Sequence, residues 1–345
     1  MKRFFRSALY VIAVMAAAGC AKTVASGPND ANKRYFDAWM QLNHPEAKPS
    51  GLGIYIIEDE PGNGKEVKKN GFAFMEYTIT DLEGNISSYS GKDVAKQLGE
   101  YDTTYYYGPK FQLTADGQLP AGLSQALTGM KVGGHRKVIV PSWLMTHSTY
   151  KTEAEYLANS SSSENTIYDI TVKDFTEDIK AWQNDRIEEY FKANSSIFEG
   201  MSIFKDSIPG HPGFYYKKLH QEPVDTTSFK KDTVVYINYT GKLLNGLVFD
   251  TTNERIAKDN GIYSASRSYQ PVQINWGEKY SDITMGSGKS SVVSGFALTL
   301  WQMKAMEKGI GIFISDYGYA ANGNGNSIPG FSPLIFEIEL VAKPE

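Results

Sequence analysis

The sequence predicts an α+β protein made of two copies of one domain, each with an antiparallel sheet and one short helix. Five pairs of segments recur in the same order, about 160–175 positions apart, which indicates a duplication. Strand-like segments separated by turn signals dominate each copy, and single short helical patterns occur at 124–130 and 297–306. Runs of strands with one segregated helix are typical of α+β folds with antiparallel sheets.

The recurring segments are short and mostly apolar, as expected for strands that contribute to a core. They are Glu76–Thr78 with Asn238–Thr240, Phe111–Leu113 with Val272–Ile274, Gly122-Leu123 with Gly295-Phe296, Val138–Val140 with Ile312–Ile314, and Ile167–Ile170 with Ile335–Ile338. Their order predicts a first domain over 32–175 and a second over 213–345.

The amino-terminal segment reads as a signal peptide over 1–19. Three basic residues precede an apolar run at 7–18, which is shorter than the ~20 residues that a transmembrane helix needs. Cys20, the single cysteine, follows Ala17, Ala18 and Gly19 and resembles the end of a bacterial lipobox. That resemblance implies cleavage before Cys20 and its acylation, although a thiol discarded with the peptide is the alternative. We therefore expect an exported protein, lipid-anchored to a bacterial membrane at its periplasmic face or at the cell surface, with 20–31 as anchor and tether.

Two helices are predicted outside the repeated strands. Apolar residues at intervals of three to four predict a helix over 32–42, at the start of the first domain. The same spacing over 178–193, followed by loop signals at 209–213, predicts a helical linker over 176–212.

Composition and motif content exclude several functional classes. A net charge of −4 and a pI of 5.8 argue against a nucleic-acid partner, and one cysteine allows no internal disulfide. The histidines lack metal-binding spacing, and no phosphate loop or nucleophile elbow occurs. We therefore expect chemistry that needs no metal and no cofactor.

The second copy carries motifs that resemble those of the FKBP-type peptidyl-prolyl cis–trans isomerases. The motifs are Tyr239–Asp250, Val292–Phe296, Ser315–Tyr319, Ile328-Pro329 and Leu334–Glu337. The resemblance implies a curved antiparallel sheet wrapped on a short helix, with an aromatic pocket between them.

The same resemblance implies roles for individual residues. Six residues would form the catalytic pocket: Tyr239, Phe249, Asp250, Phe296, Tyr319 and Phe336. Five others would bind the substrate: Val272, Val292, Val293, Tyr317 and Ile328. Phe296 would form the floor, where the family usually has tryptophan, and Ile328 would offer a backbone N–H to the peptide. Because Val272 and Ser327 depart from the family pattern and 275–290 is an insertion, we expect a wider or more polar rim and weak binding of family inhibitors.

The first copy keeps several aromatic positions of this site but lacks its Phe-Asp pair, its aromatic floor and its substrate-facing tyrosine. Tyr77, Tyr168 and Phe111 are aromatic where the family pattern expects it. The Phe-Asp pair aligns with Ser87-Ser88, the floor aligns with Leu123, and the substrate-facing tyrosine falls near Met145. We therefore expect this domain to bind, space or pack rather than to catalyse.

The resulting hypothesis is an isomerase that assists the folding of exported proteins, with its activity in the second domain. Its partners would be proline-containing peptides or unfolded exported proteins. Rotation about an X–Pro bond breaks no covalent bond, so a pocket that favours the twisted amide is sufficient. Two alternatives are a non-catalytic peptide-binding module or holdase chaperone on the same fold, and a structural surface lipoprotein.

Overall fold

The computed structural model describes residues 27–161, 163–221 and 228–344. The predicted signal peptide, Cys20 and most of the predicted tether lie outside these residues. Within them, no helix combines the length and the apolar character needed to cross a bilayer.

The first domain is built on a six-stranded antiparallel sheet. Its strands are β1 (Tyr55–Glu60), β2 (Phe72–Thr80), β3 (Ile86–Tyr89), β4 (Lys110–Leu113), β5 (His135–Val140) and β6 (Thr166–Thr176). The spatial order is β1-β5-β6-β2-β3, and β4 also pairs with β2. Alternate residues of β6, such as Tyr168, Ile170 and Val172, are buried, so one face of the sheet covers the core.

Among the described residues, four α-helices accompany this sheet: α1 (Asp30–Asn43), α2 (Lys92–Leu98), α3 (Ala121–Leu127) and α4 (Glu153–Asn159). Helix α3 begins three residues before the predicted start, directly after Pro120. A Cβ atom at Gly122 would lie 2.2 Å from Cγ1 of Val140, so this glycine lets α3 pack closely against β5. Gly122 thus lies in the first turn of α3, two residues before the predicted start.

Helix α5 (Ile179–Ala193) links the two domains, followed by the short α6 (Ser195–Phe198). The side chain of Asp178 caps α5 by accepting hydrogen bonds from the backbone N–H groups of Lys180 and Ala181. The buried residues Ile187 and Phe191 pack with residues of the second sheet. The linker predicted over 176–212 is thus partly a packed helix on the second domain.

The second domain contains an eight-stranded antiparallel sheet. Its strands are β7 (Phe214–Gln221), β8 (Val234–Leu243), β9 (Val248–Thr251), β10 (Val272–Asn275), β11 (Thr284–Met285), β12 (Ser290–Ser291), β13 (Glu307–Phe313) and β14 (Leu334–Val341). The spatial order is β12-β11-β10-β8-β14-β13-β7, and β9 also pairs with β8. Helices α7 (Glu254–Asp259) and α8 (Ser294–Gln302) complete the domain. The predicted insertion over 275–290 contributes to the β11–β12 hairpin, and α8 ends four residues before the predicted 306.

Pairing registers show that both domains repeat one fold, as predicted. Tyr77 of β2 lies opposite Ile170, and Tyr239 of β8 lies opposite Ile338. Two of the proposed segment pairs are wrong by one residue, however. Val138 lies opposite Tyr168, as Gly311 lies opposite Phe336, so 138–140 correspond to 311–313.

The second error concerns β4. Lys110 lies opposite Met75 in β2, and Val272 lies opposite Ile237 in β8, so Lys110 and not Phe111 is the counterpart of Val272. A shift of one residue moves a strand side chain to the other face of the sheet. Phe111 pairs instead with Phe74, with ring centroids 4.7 Å apart. It therefore does not occupy the aromatic pocket position predicted for it.

Candidate active site

A cavity of about 660 Å³ opens on the second domain and is lined by most of the predicted site residues. The predicted residues that line it are Tyr239, Phe249, Asp250, Val292, Val293, Phe296, Tyr319, Ile328 and Phe336. The remaining lining residues are Arg267, Met285, Ser291, Asn324 and Ser327. A larger cavity of about 920 Å³ lies between the domains, and none of the residues predicted for the site of the second domain lines it.

The strand register brings the walls of the site together around one glycine. Gly241 of β8 lies opposite Asp250 on one side and opposite Phe336 on the other. A Cβ atom at Gly241 would be 2.5 Å from the Phe249 ring and 2.9 Å from the Phe336 ring. The absence of a side chain at this position is what allows the two rings to converge.

Four of the five aromatic side chains that line the cavity pack against one another. The ring centroid of Phe296 lies 5.4 Å from that of Tyr239 and 5.0 Å from that of Phe336, both nearly perpendicular. Phe249 meets Phe336 edge-on at 5.6 Å. Edge-to-face pairs contribute roughly 0.5–1.5 kcal/mol each beyond area burial. Phe296 is only 2% exposed, so it lies at the bottom of the site, where the family resemblance puts the floor.

The polar part of the cavity is a network of Tyr239, Asp250 and Arg267. The Tyr239 hydroxyl donates to Oδ2 of Asp250 at 2.5 Å, while Nη1 of Arg267 pairs with Oδ1 of the same carboxylate. Nη2 of Arg267 also donates to the Tyr239 hydroxyl at 3.4 Å. Burial, followed by the nearby Asp250 carboxylate, raises the pKa of Tyr239 well above 10, so its hydroxyl stays neutral.

Arg267 was not identified by sequence reasoning. It lies in the irregular segment between α7 and β10, among serines, where no periodic pattern singles it out. Its guanidinium lies 5.6 Å from the ring centroid of Tyr269, which stacks on Tyr263 at 5.4 Å. A cation within twenty residues of Asp250 is the only signal that the sequence offers, and it is not specific.

Tyr319 and Ile328 also line the cavity. Burial is the main cause that raises the pKa of the half-buried Tyr319, so its hydroxyl remains a donor at neutral pH. The Ile328 N–H, which the family resemblance assigns to peptide binding, donates to the Asn324 carbonyl at 3.2 Å. This N–H must therefore exchange its partner before it can bind a peptide.

Two predicted substrate-binding residues do not line the cavity. Val272 opens β10, where it pairs with Ile237 and packs against the core of the domain. Tyr317 is turned away from the cavity, because its hydroxyl donates to the Pro212 carbonyl at 3.2 Å and its ring meets Phe214 at 6.2 Å. Both side chains contact the protein rather than the space that a ligand would fill.

The corresponding region of the first domain keeps a tyrosine, Tyr77, at the position of Tyr239 but lacks the carboxylate. Ser88 lies opposite Ile79, the register position that Asp250 occupies opposite Gly241, and the neighbouring Ser87 is exposed. Tyr168 takes the place of Phe336, and its hydroxyl contacts Sδ of Met145 at 3.7 Å. Burial raises the pKa of Tyr168 to about 12. These side chains reproduce neither the carboxylate nor its cationic partner.

The arrangement in the second domain suits binding without covalent chemistry. Its rings can enclose an apolar group, and the neutral hydroxyl of Tyr319 can donate to a carbonyl. Across 27–161, 163–221 and 228–344, no group of three or more His, Cys, Asp or Glu side chains could hold a metal ion.

Comparison with known proteins gives both a family and individual relatives. A family model described as FKBP-type peptidyl-prolyl cis-trans isomerase matches residues 81–173 and 225–341. The chain is 34% identical over 112 residues to "FK506-binding protein 1A" of Aspergillus fumigatus, covering 32% of this chain and 79% of that protein. It is 25% identical over 319 residues to human "Peptidyl-prolyl cis-trans isomerase FKBP9", covering 91% of this chain and 41% of that protein.

Two further similarities concern a bacterial protein and a solved structure. The chain is 30% identical over 137 residues to the "Probable FKBP-type peptidyl-prolyl cis-trans isomerase" of Haemophilus influenzae, covering 40% of this chain and 45% of that protein. The structure of the three FKBP domains of wheat FKBP73 aligns with a TM-score of 0.29 and 15% identity, covering 84% of this chain and 94% of that one.

Proposed function

Because the chain belongs to the FKBP-type peptidyl-prolyl cis–trans isomerase family, we propose that its second domain carries the isomerase activity and assists the folding of exported proteins. Isomerisation is the reaction of the family, and we assign it to the second of the two domains. Its substrates are proline-containing peptides and unfolded polypeptides.

The observation that carries this assignment is the Tyr239–Asp250–Arg267 network beside the aromatic walls of the second domain. At the corresponding positions the first domain has Ser88 instead of the carboxylate, and Leu123 in place of the aromatic floor. The first domain therefore lacks both the charged group and the aromatic floor.

The geometry supports isomerisation through differential binding of the twisted amide. Twisting an X–Pro bond removes the amide resonance, which accounts for a barrier of ~18–20 kcal/mol, and leaves the group less polar. The apolar walls formed by Phe249, Phe296 and Phe336 favour this less polar state over bulk water. Each ~1.4 kcal/mol of such preference accelerates the reaction about tenfold. The fixed Tyr239 hydroxyl keeps Asp250 in place at the rim, and the Tyr319 hydroxyl is available to the substrate carbonyl.

The proposal includes export and lipid anchoring. Its support is the basic start of the chain, the apolar run at 7–18 and Cys20 after small residues. Acyl chains on Cys20 would hold the domains at a membrane, where newly exported polypeptides emerge unfolded.

The test is an isomerisation assay with the mature chain and short proline peptides, read out by the interconversion rate of the cis and trans forms. Uncatalysed exchange takes roughly tens to hundreds of seconds, so acceleration is directly measurable. We expect saturable acceleration. A chain that suppresses the aggregation of an unfolded protein but leaves the exchange rate unchanged would favour the non-catalytic holdase instead.

A further inference from the structure

The linker helix and the first domain hold one segment of the second domain at several points: residues 315–333, which we name the framing segment. Tyr319, Asn324, Ser327 and Ile328 of this segment line the isomerase cavity. Its ends and its middle are each held by a residue that belongs to the linker helix or to the first domain.

The start of the framing segment is held by the linker helix. Oε1 of Gln183 accepts a hydrogen bond from the Ser315 N–H at 2.7 Å, and Nε2 of Gln183 donates to the Ser315 hydroxyl at 3.1 Å. Gln183 is 0% exposed and Ser315 is 1% exposed. A buried amide that satisfies two partners fixes their position, because leaving either of them unpaired is unfavourable.

The middle of the framing segment is held by a loop of the first domain. The Tyr106 N–H donates to the Asn326 carbonyl at 2.8 Å, beside the cavity residue Ser327. The Tyr106 ring packs against the core of the second domain, and its hydroxyl donates to the Pro109 carbonyl at 3.0 Å. Burial raises the pKa of Tyr106 to about 12. The same loop reaches the segment that carries Arg267, since the Thr103 hydroxyl donates to the Gly261 carbonyl at 2.7 Å.

The end of the framing segment is anchored by Phe331, whose backbone φ is +62°. A bulky residue in this left-handed region is unfavourable and persists only where its surroundings determine the conformation. Its ring meets Phe72 of the first domain at 5.1 Å and Phe111 at 6.1 Å. Phe111, displaced from the pocket position predicted for it, thus belongs to the aromatic surface that receives Phe331.

We infer that the first domain and the linker helix are a positioning element for the isomerase cavity of the second domain, acting through Gln183 and Tyr106. The inference rests on the proposed function, because it gives the first domain a role in the reaction that we propose for the second domain. Loss of either contact loosens the framing segment and misplaces Tyr319 and Ile328. Small misplacements of binding groups reduce activity strongly.

The test uses the full mature chain with Gln183→Met, which removes the hydrogen bonds to Ser315, or with Tyr106→Ala, which keeps the N–H donor to Asn326 but removes the ring that packs on the second domain. Hydrogen exchange of 315–333 and steady-state kinetics with a short proline peptide are measured together. We expect faster exchange in the framing segment and a KM about tenfold higher, with a smaller change in kcat, because substrate-binding groups lose their preorganisation. Tyr106→Phe keeps the ring that Tyr106→Ala removes and should match the wild type, as should Tyr35→Ala, which removes an exposed tyrosine of helix α1.

The outcomes separate positioning from simple destabilisation. Partial unfolding lowers the active fraction, so it reduces the apparent kcat at an unchanged KM and accelerates exchange in every strand; that result would overturn the inference. Unchanged KM and unchanged exchange over 315–333 would overturn it as well. An inactive wild-type chain would refute the proposed function. Hydrogen exchange of 315–333 in the two variants would still show whether Gln183 and Tyr106 hold the framing segment.

Discussion

The Tyr239 hydroxyl donates a 2.5 Å hydrogen bond to Oδ2 of Asp250, and pairing of β8 with β9 brings both side chains into one cavity. Arg267 binds the other oxygen of the carboxylate and also reaches the hydroxyl. The three groups therefore restrain one another, so removing the charge of Asp250 should release both Arg267 and Tyr239.

Asp250→Asn should reduce kcat/KM at least about tenfold while the protein remains folded. The substitution keeps the shape of the side chain but removes the charge that holds Arg267 and Tyr239. Losing a hydrogen bond to a charged group costs ~1.5–3 kcal/mol, which corresponds to this loss of activity. Asp259→Asn, an exposed carboxylate of α7, is the matched control. Wild-type kinetics for Asp250→Asn would remove the network from the mechanism.

Gly241→Ala should damage the cavity through packing alone. Its new methyl group would overlap the rings of Phe249 and Phe336, which must then move. Overpacking of this kind costs ~1–3 kcal/mol, so we expect a lower melting temperature together with lower kcat/KM. Gly288→Ala is the control, because no atom lies within 4 Å of the added methyl group. A Gly241→Ala chain that melts and isomerises like the wild type would contradict the described wall.

Stability should fall at alkaline pH because buried tyrosines keep their protons longer in the folded chain. Burial raises the pKa of Tyr168 to about 12, above the value near 10 of an unfolded chain. The stabilisation is therefore complete below pH about 10 and declines between about 10 and 12, by up to ~1.4 kcal/mol per pH unit. Tyr168→Phe should decline less steeply in denaturant titrations over this range. If stability declined equally steeply with pH in the wild type and in Tyr168→Phe, the raised pKa of Tyr168 would be contradicted.

The fold class could be predicted from repeated strand patterns, whereas the aromatic walls were predicted from the family resemblance. Alternating apolar residues mark strands, and ordered motifs mark the second domain as the more complete copy. Arg267 could not be predicted, since only tertiary folding brings its irregular loop to Asp250. The predicted register of β4 was wrong because Phe111–Leu113 resembles Val272–Ile274 in sequence, whereas the strand pairing places Lys110 at the position of Val272. Only the pairing of β4 with β2, which no local pattern encodes, fixes that register.

Cys20→Ser should abolish lipid labelling of the chain in its native host. The small residues before Cys20 resemble a lipobox, so acylation depends on that thiol. Growth with a clickable palmitate should tag the wild type and leave the variant untagged, with membrane fractionation as a second readout. Equal tagging of both proteins would refute the proposed anchor.

The most direct test of the central claim compares two matched double variants of the full mature chain in one isomerisation assay. Phe249→Ala with Asp250→Asn removes a wall and the carboxylate from the second domain, and Ser87→Ala with Ser88→Ala changes the corresponding positions of the first. Because Phe249→Ala can also cost ~3–5 kcal/mol of stability if its ring is core, thermal melts accompany the kinetics. If the second domain carries the activity, the first double variant loses acceleration of proline exchange while it remains folded, and the second retains the wild-type kcat/KM. Wild-type activity in a folded Phe249→Ala, Asp250→Asn chain would contradict the account.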